Sequence, residues 1–382
     1  MFNDYSAFQD EIVGLRRHLH MFPETALSEY KTTWFIKNYL EDNGYTVNTA
    51  SPTGCTAFLS VNEGYPTVAV RAEMDAVPMK EKTKLFYASK NSRAMHSCGH
   101  DANMAVALVL ARICALERES LSCNVKFIFE PAEETGSGAE IMINSGALEN
   151  PKVDAFIMFH FANKDSYGVE VNENIATAAI GRIDIRLHGV SGHWAAKSKS
   201  RDALLAASQL LTEIENINSS FDSPYPFCVG IGKMSGGSSA NVIADYAEMN
   251  GNLRTCTMGD YNSITQLIKN AAENISVKTG VRIETEISSE PITPIVNDPF
   301  MVKKACSVGK KVFGDRFFLT DKLYLAGDNA CLYFNRVPGV FMVFRSELPD
   351  GPPLHNPKFI LNEQHFYKAL EMLHTYLTDI YR

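Results

Sequence analysis

Four short segments carry side chains that could do chemistry together. The first is HSCGHD, His96 to Asp101, where the Cys98 thiol and the His100 imidazole stand two residues apart before a helical pattern. Sulfur and imidazole nitrogen suit Zn²⁺, Mn²⁺ or a similar divalent ion. If the segment is extended, the two side chains point the same way. Alone, Cys-Gly-His reads as a structural cysteine beside a capping histidine. The second segment is FEPAEETGSG, with the adjacent carboxylates Glu133 and Glu134 between an apolar run and a glycine-rich turn. Strand ends of open α/β sheets are where ligands bind. Neighbours on an extended backbone point apart, so one carboxylate can hold a metal while the other acts as general base toward water. Alone, the pair reads as an acidic helix N-terminus. The third is His160, inside the apolar run IMFHF, and the fourth is His355, in the loop PPLHNPKF. Singly, these read as a core residue and an exposed one. A different chemistry keeps Cys98 as a thiol nucleophile with His100 as its base, although no oxyanion donor is then placed.

The elements that must position these residues follow from periodicity. Helical spacing runs over 4–21 and 28–43, then short β-rich runs follow at 55–61 and 67–74. A long helix is expected at about 101–117, with Asp101 as its N-cap. Buried strands follow at 124–130 and 153–161. Strands alternating with helices predict an α/β domain with a largely parallel sheet. Near residue 175 the texture changes. Alternating strands at 181–190, 227–234, 246–255 and 282–289, with helices at about 201–217 and 260–278, give the β-α-β-β-α-β order of a split βαβ sandwich. From about 293 the α/β texture resumes, with a helix near 298–313, a strand at 339–345 and a last helix near 362–380. The fold class is therefore α/β, a mixed, largely parallel catalytic sheet with an inserted ferredoxin-like α+β lid. Residues 1–175 and 292–382 are expected to form the domain that carries the candidate metal-binding and catalytic residues, and 176–291 an inserted domain that would serve as lid and dimerisation surface. Cys98, His100, Glu134, His160 and His355 then all fall at strand ends or loops of one domain.

Composition sets the outer bounds. The 382 residues, 45% apolar and 21% charged, carry a net charge of −8. That is an ordinary globular composition, and the acidic balance argues against nucleic acid or an anionic membrane as partner. No apolar run approaches the roughly 20 residues of a membrane span, and the acidic, amphipathic start lacks the pattern of a signal peptide. A cytoplasmic protein is expected, its eight scattered cysteines mostly small buried hydrophobes.

The segments RRHLHMFPE, VRAEMDAVP, MHSCGHD, FIFEPAEE, SGH, GGSSANVIAD and LHNPKF occur in an order that resembles the aminoacylase/carboxypeptidase family of metal-dependent amidohydrolases. The subfamily is that of hippurate hydrolases, auxin-conjugate hydrolases and N-acetyldiaminopimelate deacetylases. The resemblance implies two divalent ions, Mn²⁺ or Zn²⁺ with Co²⁺ or Ni²⁺ as substitutes, held by Cys98, His100, Glu134, His160 and His355. It implies Glu133 as general base and His193, of the inserted domain, as the group that polarises the scissile carbonyl. Asn241 and Arg254 match substrate-carboxylate binders, and equally read as a strand-edge hydrogen bond and a surface charge. Asp75 resembles a carboxylate that orients a ligand from behind. His18, His20 and His96 read as structural, with no carboxylate partner in view for the first two. The expected substrate is an N-acyl amino acid, with a dipeptide or carboxypeptidase substrate as alternative and a non-catalytic binding protein as a third reading. A homodimer through the inserted domain is expected, because its helix-free sheet face needs a cover. Four positions depart from the family pattern: Glu73 for Asp, Ala244 for Pro, Glu130 for Gln, and Asp328-Asn329-Ala330 for Glu-Asp-Phe. None removes a proposed ligand or the base, but the last bears on substrate preference.

Overall fold

The computed structural model describes residues 4–50 and 52–382. It divides into two compact units. The first takes the described residues up to Ala176, then Val296–Lys322 and Asp328–Arg382; the second takes Thr177–Ile295 and Leu323–Gly327.

The first unit is built on an eight-stranded mixed sheet. Its centre is parallel: Asn124–Glu130, Thr67–Glu73, Ala155–Lys164 and Gly339–Glu347 lie side by side in that order. Every residue of Thr67–Glu73 and of Asn124–Glu130 is buried, as expected for parallel strands covered on both faces. The helix His100–Leu116 crosses over between those two strands. It packs against the helices Gln9–Met21, Tyr30–Asp42 and Phe366–Asp379 as well as the sheet. Enclosure on all sides explains why AVALVL is apolar all round. Three strands were not foreseen: Thr46–Thr49, Gly168–Asn172 and Phe317–Thr320. Each has four or five residues and lies toward the sheet's margins, where short runs carry little periodic signal. The first helix is also shorter than its spacing predicts, because Tyr5–Phe8 forms a 3-10 turn before Gln9–Met21 begins.

In the second unit, four antiparallel strands stand in the order Arg282–Ile287, Ala179–His188, Tyr246–Thr255, Phe227–Gly236. The helices Ala203–Ser220 and Met258–Thr279 pack on one another and on the sheet. In Ala179–His188 the odd positions are buried and the even ones are not, the period-two pattern of a sheet covered on one face. The other face is polar: Asn250 Nδ2 donates to Asp184 Oδ1 at 2.7 Å, and Arg182 pairs with the same carboxylate.

Candidate metal centre

The candidate residues of the first unit gather at the carboxyl ends of its parallel strands. Asp75 follows Thr67–Glu73 by two residues, Glu133 and Glu134 follow Asn124–Glu130, and His160 lies in Ala155–Lys164. Cys98 is in the turn before the helix His100–Leu116. The turn corrects the extended geometry expected for HSCGHD: Gly99 takes φ +92°, a left-handed conformation, and His100 already opens the helix. Asp101 does not cap that helix. Its Oδ2 accepts from Arg16 Nε at 3.0 Å and lies 2.8 Å from His20 Nδ1. His20 therefore does have a carboxylate partner, brought to it by the packing of two helices remote in sequence.

Both candidate imidazoles are oriented by the backbone. His100 Nδ1 donates to the Asp75 carbonyl at 2.8 Å, and His160 Nδ1 to the Phe161 carbonyl at 2.8 Å. Each Nε2 thereby points away from its backbone anchor and is the nitrogen available to a metal once it gives up its proton. The Asp75 carboxylate accepts the amides of Glu133 and Glu134, both at 3.0 Å. So Asp75 fixes His100 with its carbonyl and fixes the turn carrying both glutamates with its side chain. His355 takes φ +63° in its proline-rich loop, and its amide donates to the Ser97 carbonyl at 2.9 Å. That bond docks a distant loop beside Cys98.

Three ligand sets have donor atoms lying mutually within 4.8 Å: Cys98, His100 and His160; Cys98, Glu134 and His355; and His100, Glu133 and Glu134. Cys98 belongs to the first two and His100 to the first and third, so the three sets form one continuous cluster. The residues fit divalent metal on three grounds. The donors are thiolate, imidazole and carboxylate, a set suited to borderline ions. Glu134 Oε1 is buried without a hydrogen-bond donor, with His355 Nε2 at ion-pair range, 3.3 Å. The local field also demands positive charge. Contact with Cys98 and Glu134 raises His355 to about 10. Burial pushes the Cys98 thiol up, but His100 and His160 outweigh burial and hold it at about 6. A thiolate is the form that ligates metal. Burial, and after it the Asp328 carboxylate, push Glu133 well above the usual carboxylate range, against the pull of His100 and Arg71.

Behind Glu133 lies a buried cluster that sequence reasoning left unread. Arg71 donates Nε and Nη2 to the two oxygens of Glu130 at 3.0 and 2.9 Å. Its Nη1 reaches Glu73 at 2.5 Å and Asp328 at 3.2 Å, and Nη2 reaches Asn329 Oδ1 at 2.9 Å. The departures Glu73, Glu130 and Asp328-Asn329 thus converge on one guanidinium. The signal was an arginine inside a strand otherwise apolar up to Glu73.

The remaining candidates sit on the second unit. His193 is exposed, its Nδ1 accepting the Ala195 amide at 3.2 Å, so the neutral ring carries its proton on Nε2. A two-residue ladder pairs His193 with Val242, next to Asn241. Asn241 is exposed, its Oδ1 accepting Ser239 Oγ at 2.6 Å. Arg254 is half-buried and donates Nε to Asn252 Oδ1 at 2.8 Å and Nη1 to the Leu325 carbonyl at 2.6 Å.

The sequence profile of peptidase family M20/M25/M40 matches residues 69–379, spanning nearly all of this site. The chain belongs to that family. An N-acetyl-L-cysteine deacetylase of Bacillus subtilis (strain 168) is 32% identical over 376 residues, covering 97% of this chain and 88% of the relative. An N-acetyldiaminopimelate deacetylase of Streptococcus uberis is 30% identical over 378 residues, 97% of this chain and 98% of the relative. A dinuclear metal-binding peptidase of the M20 family from Bacillus subtilis has a solved structure that superposes with a TM-score of 0.85 at 27% identity, covering 98% of each chain. This M20 chain is a metal-dependent amidohydrolase. Among the described residues no helix is long and apolar enough to cross a membrane.

Proposed function

We propose that this M20 enzyme hydrolyses the amide bond of N-acyl amino acids, with Glu133 as the base and Cys98, His100, Glu134, His160 and His355 holding two divalent ions, manganese or zinc, with cobalt or nickel as substitutes. The observation that carries the reading is Glu133: its carboxylate lies among the clustered donors, largely buried beside His100, whose Nε2 is 3.9 Å from Glu133 Oε2. Deacetylases among its relatives support the substrate class. Bound divalent ions would make water nucleophilic at neutral pH and take up charge developing on the carbonyl oxygen.

The chain's own residues do the rest. Glu133 takes a proton from the attacking water and delivers it to the departing amine nitrogen, so one carboxyl serves both steps with no covalent intermediate. Asp75 keeps Glu133 and Glu134 on their two separate tasks by holding both amides. His193, with its proton on Nε2, donates to the carbonyl oxygen as charge develops; one such donor contributes about 3 kcal/mol. Asn241 is the proposed contact for the substrate carboxylate. A homodimer would form through the edge strand Phe227–Gly236. This is an outer strand of its sheet, paired on one side only, so its other row of backbone groups can take a further strand. Six of the eight cysteines are buried, as small apolar side chains of a reducing, cytoplasmic setting would be.

The test is amine release from N-acetyl, N-benzoyl and dipeptide substrates after loading with Mn²⁺ or Zn²⁺, with and without chelator. Glu133→Ala should cut turnover by about 10²–10⁴-fold while metal content by mass spectrometry stays at the wild-type value. A variant that keeps most of its turnover would remove Glu133 from the mechanism. Dipeptides outpacing every N-acyl amino acid would move the assignment to a dipeptidase.

A further inference from the structure

The turn that carries Glu133 and Glu134 begins with an alanine in an unfavourable conformation. Ala132 takes φ +52°, in the left-handed region that disfavours any residue with a Cβ. It is completely buried, and its amide donates to Glu29 Oε1 at 2.8 Å. The next two amides, of Glu133 and Glu134, donate to Asp75. Three consecutive amides therefore end on carboxylate oxygens supplied from elsewhere in the same unit. Glu29 stands at the start of the helix Tyr30–Asp42, yet its side chain does not cap that helix. It is wholly buried, and Oε2 accepts Thr53 Oγ1 at 2.7 Å. Both partners are neutral, and a buried carboxylate served by neutral donors is costly. The Glu29 carbonyl accepts Thr33 Oγ1 at 2.7 Å, and that hydroxyl oxygen accepts the Gly54 amide at 3.1 Å. A Cβ on Gly54 would come within 2.7 Å of Pro131 Cδ. Glu29, Thr33, Thr53 and Gly54 thus form a buried seat for Pro131 and Ala132.

We propose that Glu29 is a positioning residue for the base: by accepting the Ala132 amide it holds that residue left-handed, and so fixes the direction in which Glu133 leaves the turn. The reason is geometric. A peptide unit is a rigid plane. Glu29 holds the plane before Ala132 through its N–H, and Asp75 holds the plane after it through the Glu133 amide. The Ala132 carbonyl, in that second plane, also accepts the Gly138 amide and Thr135 Oγ1, each at 3.2 Å. Two fixed planes leave the φ and ψ between them no freedom, and a strained φ persists only where its surroundings over-determine it. With the Glu29 acceptor removed, the first plane is free to turn, and Ala132 can relax toward negative φ. Glu133 is the next residue, so its Cα and side chain move with that relaxation.

The effect on rate rests on Glu133 being the base; the hold on the turn rests on the hydrogen bonds alone, and the experiment reads both. Glu29→Met, Glu29→Gln and the Glu29→Met/Ala132→Gly double variant are compared with wild type and Glu133→Ala at saturating metal, on the best N-acetyl amino acid. Hydrogen–deuterium exchange is followed over residues 131–136. Methionine keeps the length but offers no oxygen. Glutamine keeps an acceptor for the Ala132 amide, with its Nε2 turned to Thr53. Glu29→Met should lower kcat by about 10–100-fold with KM little altered, and exchange over 131–136 should rise. Glu29→Gln should match wild type in both. Adding Ala132→Gly to Glu29→Met should recover much of the rate, because glycine takes positive φ unaided. A glutamine variant as slow as the methionine one would overturn the proposal, since charge and not the acceptor would then matter. So would unchanged exchange in Glu29→Met, a defect confined to KM, or a glycine that recovers nothing. Should Glu29→Met fail to fold, Glu29→Asp, whose carboxylate is one methylene short of the Ala132 amide, takes its place under the same criteria. If wild type releases no amine, or Glu133→Ala keeps its turnover, the base reading fails, and exchange alone decides whether Glu29 holds the turn.

Discussion

Apart from the loop residue His355, the histidines of the candidate centre and those of the second unit are held in opposite ways. In the first unit, His100 and His160 are held by backbone carbonyls at the ends of strands buried on both faces, and His20, His96 and His374 are wholly enclosed. In the second, His188 is half-buried and His193 exposed, on or beside a sheet with one polar face. A site that must hold cations at fixed spacing needs donors that cannot wander, and a twice-covered sheet supplies them. A sheet covered on one face instead leaves its histidines open to solvent. Damage in the first unit should therefore register in stability or metal content, and damage at the exposed groups of the second in rate alone.

The largest break in that contrast comes from Arg71. It is completely buried among Glu73, Glu130 and Asp328, and it is the guanidinium that all three carboxylates share. Arg71→Met keeps the volume but leaves buried carboxylates without their cation, a loss of about 3–5 kcal/mol. Denaturant unfolding should show a large fall in midpoint with little change in slope. A variant as stable as wild type would mean that the carboxylates take up protons without cost.

The next effect is one of pH. His374 is buried at the Tyr5 hydroxyl, 2.6 Å from its Nδ1, and burial lowers it to about 4 from its ordinary value of 6.5. The unfolded chain takes up a proton at this ring as pH falls below the ordinary value, and the folded chain does not until near 4. Stability is thus full above that ordinary value and lost as pH falls toward 4, by about 2 kcal/mol at pH 5. Thermal melts of wild type and His374→Gln between pH 7 and 5 should converge as the wild type loses its advantage. Parallel curves would show that the ring is already charged in the fold.

Legibility in the sequence followed the same division. Asn124–Glu130 could be read to the residue, because Val125 and the unbroken apolar run Phe127–Phe129 mark a buried strand that ends at a polar turn. The four strands and two helices of the second unit were equally plain from their alternation. The segments HSCGHD, PAEE and LHNPKF are tied to metal by their resemblance to a family of metal-dependent amidohydrolases, a reading with which the clustering of sulfur, imidazole and carboxylate at strand ends and loops is consistent. What could not be read was the pairing of residues far apart in the chain. His20 with Asp101, Asp75 with two amides, and Arg71 with Asp328 are products of packing, and no local pattern announces them. The departures at Glu73, Glu130 and Asp328-Asn329 looked like separate oddities along the sequence. In space they surround one guanidinium.

The smallest expected effect on the fold is at His193, and it sharpens the contrast most. The ring is exposed, and its Nδ1 accepts one amide, from Ala195. Removing it strands no buried group, so His193→Ala should leave unfolding within about 0.5 kcal/mol of wild type, and metal content unchanged. If Nε2 donates to the carbonyl oxygen only as charge builds there, the loss falls on kcat, by about 10²–10³-fold, with KM little altered. His193→Gln, which retains a donor, should recover more rate than His193→Asn, whose shorter side chain falls short. A change in KM with kcat preserved would instead make His193 a group that binds the ground state. A loss of stability or of metal would break the division itself, because an exposed residue of the second unit would then be supporting the frame that holds the ions.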